Sequence, residues 1–152
     1  MILDVGCGAN PRGDVNCDLF TGISHHTKFE IKPKQIKNFV QCDVLHLPFK
    51  RSTFDTVTCY EVIEHVDGDK TLKLLSELVR VSSDKIIVTT PHRWTPRPQM
   101  HKQHFTRTWF KKAWKKLHCA HLAYEITSHR YLPHPFLPLV RLPAHIKVVI
   151  RK

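Results

Sequence analysis

The chain has 152 residues, 41% hydrophobic and 24% charged, with 24 Lys+Arg against 13 Asp+Glu and a formal net charge of +11. That length predicts one domain over residues 1–152 with a real core, and no apolar run reaches the roughly 20 residues of a membrane span. The N-terminus lacks the basic-then-apolar order of a secretory signal, and the five cysteines form no Cys-x-x-Cys pair, which predicts free thiols in a reducing, cytoplasmic compartment.

Strand and helix signals alternate, as in a parallel sheet with crossover connections. The first predicted strand is Ile2–Val5, and it runs straight into Gly6-Cys7-Gly8. Asp14–Leu19 and Phe39–Asp43 are the second and third, with Asp18 and Asp43 at their ends. Phe54–Tyr60 and Lys85–Thr90 are the fourth and fifth. Between them Leu72, Leu75, Leu78 and Val79 recur at helical spacing, with Asp67 and Asp69 as expected caps. After the Pro/Arg/His-rich loop 92–98, Thr106 is the expected N-cap of a helix. That helix places Phe110, Ala113, Trp114 and Leu117 on one face and Lys111, Lys112, Lys115 and Lys116 on the other. Ala123–Arg130 and His145–Arg151 are the closing strands, joined by a connection holding Pro133, Pro135, Pro138 and Pro143. There is no internal repeat and no low-complexity tract.

The acidic residue and paired glycines at the end of the first strand are the most informative stretch. Such a strand delivers its carboxyl end to a ligand, and glycines let the backbone turn sharply beneath it. Pro11 stands where a dinucleotide fingerprint would need its third glycine, which argues against a dinucleotide-dependent oxidoreductase. The order Asp4-x-Gly6-x-Gly8-x-Asn10 instead resembles motif I of the class I S-adenosylmethionine-dependent methyltransferases. A second segment, Leu47-Pro48-Phe49 through Phe54-Asp55 to Glu61-Val62-Ile63-Glu64-His65, resembles a pattern common in the small-molecule (type 11-like) members.

The resemblance implies a three-layer, Rossmann-like, seven-stranded and mostly parallel sheet in compact form, lacking the N-terminal helices of many relatives. Only ten positions separate Gly8 from Asp18, so the first crossover is a short loop rather than a helix. The implied cofactor is S-adenosyl-L-methionine. By the same resemblance Asp4 and Gly6 lie near its amino-acid end and Asp18 binds the ribose diol. Asp43 meets the adenine amino group with Val44 as an apolar wall, and the segment Cys59 to Glu61 borders the cofactor. Read as ordinary residues, Asp18 is a turn aspartate and Asp43 a loop cap. A valine at Gly8 is expected to block the cofactor.

His65, beside Glu64, is a candidate for proton transfer, or it only closes a strand-to-helix turn. His101 and His104 precede the amphipathic helix in an order resembling the family's "H…FT" lead-in, which implies that they line the acceptor pocket; His104 is the second catalytic candidate. No histidine and cysteine pattern, including His118/Cys119/His121, has zinc-ligand spacing, so no metal site is expected. No Asn-Pro-Pro-aromatic or Pro-Cys signature of nucleic-acid base methyltransferases follows the fourth strand.

The methyl acceptor is left open. The positive surplus points to a polyanion, nucleic acid before anionic lipid, or serves solubility alone. An open cleft, closed only by the 92–105 loop or a second subunit of a homo-oligomer, favours a macromolecular acceptor, with RNA first. Arg93, Arg97, Lys102 and Arg107 are the expected phosphate contacts. The rival reading is a non-catalytic basic module that binds S-adenosylmethionine or RNA on the same fold.

Overall fold

The computed structural model describes residues 1–23, 30–92, 101–119, 122–133 and 141–152. Its centre is a seven-stranded sheet. β1 (Ile2–Val5), β2 (Val15–Asp18), β5 (Phe39–Gln41), β6 (Phe54–Tyr60) and β7 (Ser82–Pro91) run parallel, and β8 (Ala123–Pro133) and β9 (Arg141–Arg151) close it antiparallel. The order is β5-β2-β1-β6-β7-β9-β8, so the chain reverses direction at β1, where successive strands go to opposite sides. Ligands of such sheets bind beyond the strands' carboxyl ends at that switch. A two-stranded antiparallel pair, β3 (Gly22–Ile23) with β4 (Glu30–Ile31), stands apart from the sheet.

The core follows from the apolar runs of the central strands. Leu3, Val5, Val57, Cys59, Ile86 and Val88 are fully buried. The amphipathic helix α1 (Thr71–Val81) adds Leu74, Leu75 and Leu78. Helix α2 (Arg107–Lys116) begins as its sequence predicts, the Thr106 hydroxyl accepting from the Trp109 amide at 3.1 Å. It buries Phe110, Ala113 and Trp114 and leaves its four lysines in solvent.

Some expectations need correction. Neither Asp67 nor Asp69 caps α1, whose N-cap is Lys70 with no side-chain cap; the Asp67 carboxylate instead pairs with Lys70 and Lys102. The proline-rich connection is shorter than expected, because Pro133 pairs with Arg141 and Pro143 with Tyr131 inside the β8–β9 hairpin. Proline tolerates this where one side of a strand is free. The pairing of β9 with β7 reaches only as far as His145, so among the described residues Pro143 has β8 as its one sheet neighbour. β2 and β5 are shorter than expected and β7 longer. Among the described residues no helix is long and apolar enough to cross a membrane, and all five cysteines are free.

Candidate functional site

The glycine loop is built on backbone amides. The Gly6 and Cys7 amides both donate to the Cys17 carbonyl, at 2.8 and 3.0 Å, and the Gly8 amide donates to Asp18 Oδ2 at 2.9 Å. Gly6 and Gly8 both have positive φ, +68° and +56°, a region costly for side-chain-bearing residues. Their surroundings differ. A Cβ on Gly6 would stand 2.3 Å from Val62 Cγ2, whereas one on Gly8 would meet nothing within 4 Å. Gly6 is therefore a packing glycine, and Gly8 borders open space.

Asp4 holds the far side of the loop. Its Oδ2 accepts the Arg12 amide and its Oδ1 the Thr58 hydroxyl, at 2.9 and 2.8 Å, and the residue is 3% exposed. Burial pushes its carboxyl above the usual range, opposed by those two hydrogen bonds. The Arg12 guanidinium lies 5.0 Å from the centroid of the Tyr60 ring. Buried Asn16 completes the turn, exchanging hydrogen bonds with Gly13 and donating to the Lys37 carbonyl.

Two cavities open at the carboxyl ends of the parallel strands and share Gly6 and Glu61. One, of about 410 Å³, is lined by Gly8, Asp18, Leu19, Phe20, Asp43, Val44, Val62 and His65, among others. The other, of about 630 Å³, is lined by Asp4, Arg12, Tyr60, Thr89, His145 and Lys147, among others. Glu61 is the partition. It adopts φ +56°, a conformation that non-glycine residues hold only when surroundings enforce it. Its amide donates to the Thr89 carbonyl at 3.0 Å, its Oε1 accepts the Thr89 hydroxyl at 2.7 Å, and its Oε2 lies 3.3 Å from His145 Nε2.

The predicted residues separate accordingly. Gly6, Gly8, Asp18, Asp43, Val44, Glu61 and His65 converge on the smaller cavity, and Asp4 lines only the larger. Cys59 lines neither; it is fully buried in β6, and burial pushes its thiol far up. His104 is exposed and also lines neither cavity, whereas His101 turns to His65, ring centroids 4.9 Å apart at 85°. Asp18 accepts a second amide, from Phe20, and Asp43 caps its own loop by accepting the Leu45 amide at 2.8 Å. Of the four expected phosphate contacts, Arg93 and Arg97 lie outside the described residues. The other two are engaged: Lys102 with Asp67 at 2.6 Å, and Arg107 with the Ile126 carbonyl.

Below the cleft, Glu64 is 1% exposed and pushed up to about 8 by burial. The Leu47-Pro48-Phe49 segment has a structural role. Glu77 accepts the Leu47 amide while Arg80 bonds both Glu77 oxygens and the Leu47 and Phe49 carbonyls. This latches the segment to α1. Sequence reasoning missed Arg12, Thr89 and His145 at the cleft; only the unforeseen register of the closing strands brings His145 opposite Pro91.

Comparison with known proteins decides the family. The model of a methyltransferase domain matches residues 3–85, more than half of the chain. The chain belongs to this methyltransferase family. An uncharacterized protein of Methanocaldococcus jannaschii is 36% identical over 88 residues, covering 56% of this chain and 37% of that one, so the matched part spans little over a third of this relative's length. A methyltransferase structure from Archaeoglobus fulgidus superposes with TM-score 0.75 at 14% identity, covering 99% of this chain and 85% of that one. The small RNA methyltransferase HEN1 superposes with TM-score 0.67 at 18% identity, covering 99% of this chain and 23% of that one.

Proposed function

We propose that this domain methylates an anionic macromolecule, RNA being the acceptor class, with S-adenosylmethionine held in the 410 Å³ cavity. The single observation that carries the cofactor half is the convergence of Gly8, Asp18, Asp43, Val44 and Glu61, remote in sequence, on that one cavity. The residues fit the cofactor's shape and polarity. Open space over Gly8 leaves room for a ligand against bare backbone. Asp18 is fixed by two amides and keeps lone pairs to accept from a ribose diol. Leu19 and Phe20, 47% and 46% exposed, offer with Val44 an apolar wall to a planar base.

When bound, the cofactor supplies a methyl group on a positively charged sulfur. The chain's part is alignment, which can provide much of the acceleration without a covalent intermediate. Glu61, held rigidly between the two cavities, and His65 at the cavity wall form the acceptor side. His104, exposed and away from the cleft, does not join it.

The net charge of +11 supports an anionic acceptor. With Lys102 and Arg107 engaged, the four exposed lysines of α2 are the better phosphate contacts. The fold shared with a small RNA methyltransferase agrees with this reading. The test is incubation with labelled S-adenosylmethionine and separate RNA, protein and small-molecule fractions at graded salt. Label in RNA that falls steeply with salt is expected. Salt-independent labelling of a neutral metabolite, with RNA unlabelled, would contradict it, and cofactor binding with no turnover in any fraction would favour a non-catalytic module.

A further inference from the structure

We propose that Glu64, His65 and His101 bind a divalent transition-metal ion at the edge of the cofactor cleft. One potential ligand atom from each lies within 4.8 Å of the other two. Metal–ligand bonds of roughly 2.0–2.2 Å put neighbouring ligand atoms about 3–3.5 Å apart, so small side-chain rotations close the site. Zinc motifs are recognised by ligand spacing along the sequence. Glu64, His65 and His101 have no such spacing, because the fold assembles them from two distant segments.

An independent observation points to a cation. Glu64 is 1% exposed, and of its two carboxylate oxygens only Oε2 is satisfied, by the Thr90 hydroxyl at 3.2 Å. Oε1 is buried with no hydrogen-bond partner. A buried, unpaired carboxylate oxygen is unfavourable, and a bound cation beside His65 and His101 would satisfy it.

The three residues are also held in place. Glu64 and His65 sit in the 3-10 turn Ile63–His65, one residue after the strained Glu61. His101 is carried on a strap pinned to that turn, since the Lys102 amide donates to the Glu64 carbonyl at 2.8 Å and the Gln103 side chain to the Val66 carbonyl at 3.0 Å. A site built on such supports loses little order on binding.

Two imidazoles and a carboxylate select the ion. Imidazole suits zinc, cobalt, iron and nickel, whereas magnesium and calcium prefer all-oxygen shells. Three protein ligands leave coordination positions open. His65 lines the cofactor cavity, so an ion there adjoins the space where an acceptor enters. Resting on the cleft assignment above, this gives the ion a role in holding an oxygen of the acceptor near the methyl group.

The test is titration of the chelator-stripped full chain with Co²⁺, followed by its visible spectrum and by calorimetry, with Zn²⁺, Mn²⁺ and Mg²⁺ for comparison. One equivalent is expected to bind saturably, with nitrogen and oxygen ligation, no thiolate charge-transfer band, and Mg²⁺ weakest. Glu64→Gln and His101→Ala should each weaken binding at least about tenfold, while His118→Ala, at an exposed position outside the cluster, leaves it unchanged. Circular dichroism of each variant establishes that it is folded, and Glu64→Gln preserves the side-chain shape should His101→Ala disturb the strap. Absence of saturable binding, or saturable binding untouched by both variants in folded protein, overturns the proposal. S-adenosylmethionine affinity measured on the same samples is a separate readout. If Co²⁺ binds as described and the cofactor does not, the metal site stands and the cleft assignment falls; the reverse result removes only the metal.

Discussion

Gly6 and Gly8 share a motif and a backbone conformation, yet an alanine at each is predicted to fail for a different reason. Both substitutions force a side chain into left-handed backbone, at about 1–2 kcal/mol. At Gly6 the new Cβ would also stand 2.3 Å from Val62 Cγ2. Overpacking of that kind adds roughly 1–3 kcal/mol, so Gly6→Ala should lose about 2–5 kcal/mol in all. For a domain of this size that corresponds to a Tm lower by about 5–15 °C. At Gly8 the Cβ meets no protein atom within 4 Å, so only the backbone term applies, and Gly8→Ala should stay folded with a loss of about 1–2 kcal/mol. Its Cβ enters the cleft, and S-adenosylmethionine affinity should fall at least about tenfold, or 1.4 kcal/mol; Gly8→Val should abolish binding. Thermal unfolding and calorimetry on both variants, with Val62→Ala and Gly6→Ala/Val62→Ala completing a double-mutant cycle, separate the effects. A Gly6→Ala protein as stable as the parent, or one that Val62→Ala does not partly rescue, would refute the packing argument. Normal cofactor binding by Gly8→Ala would reduce that glycine to chain geometry.

Three other outcomes follow from the same structure. The Arg80 side chain holds the nearly buried Glu77 carboxyl down to about 2, below its unfolded value, so its stabilisation is complete above about pH 4.5 and lost as pH falls toward 2. Acid unfolding should therefore show a loss on the order of 3 kcal/mol over that window, which is absent in Glu77→Gln. Asn16→Ala leaves the Gly13 amide and the Gly13 and Lys37 carbonyls without their side-chain partner and should destabilise by about 2–4 kcal/mol, measured by urea unfolding. Changing Lys111, Lys112, Lys115 and Lys116 together to glutamine should flatten the salt dependence of RNA binding by up to about 1 in log–log slope per lysine, with the fold intact because those side chains are exposed.

The parallel half of the sheet was legible because its strands are short and rich in apolar residues, the first running into Gly6, the second ending on Asp18 and the third followed by Asp43, and because the α1 pattern has a clear helical period. What pattern cannot show is where distant residues meet. The pair β3–β4 is two residues per strand, too short to carry a period. The length of the β8–β9 hairpin was hidden by prolines, which usually mark loops and are tolerated here because the pairing of β9 with β7 ends at His145. Within the candidate site, the residues that follow or end the parallel strands share one cavity, as their positions suggest, but Cys59 points into the core because alternate residues of a strand face opposite ways. The left-handed backbone at Glu61 has no sequence signal, since that conformation is imposed by Thr89 and neighbouring strands. The Leu47-Pro48-Phe49 motif was visible, but its physical reason, the Glu77–Arg80 latch, needed the packing of α1. The meeting of His65 with His101 depends on a strap pinned by Lys102 and Gln103, which no spacing rule anticipates.

In the proposed complex S-adenosylmethionine lies over Gly8 with its ribose against Asp18. Calorimetric titration of the full chain and of Asp18→Ala tests it most directly. One site per chain is expected, with affinity weakened in the variant by about 1.5–3 kcal/mol, as for loss of charge-assisted hydrogen bonds. A parent protein that does not bind, or an Asp18→Ala protein that binds equally well, would contradict it.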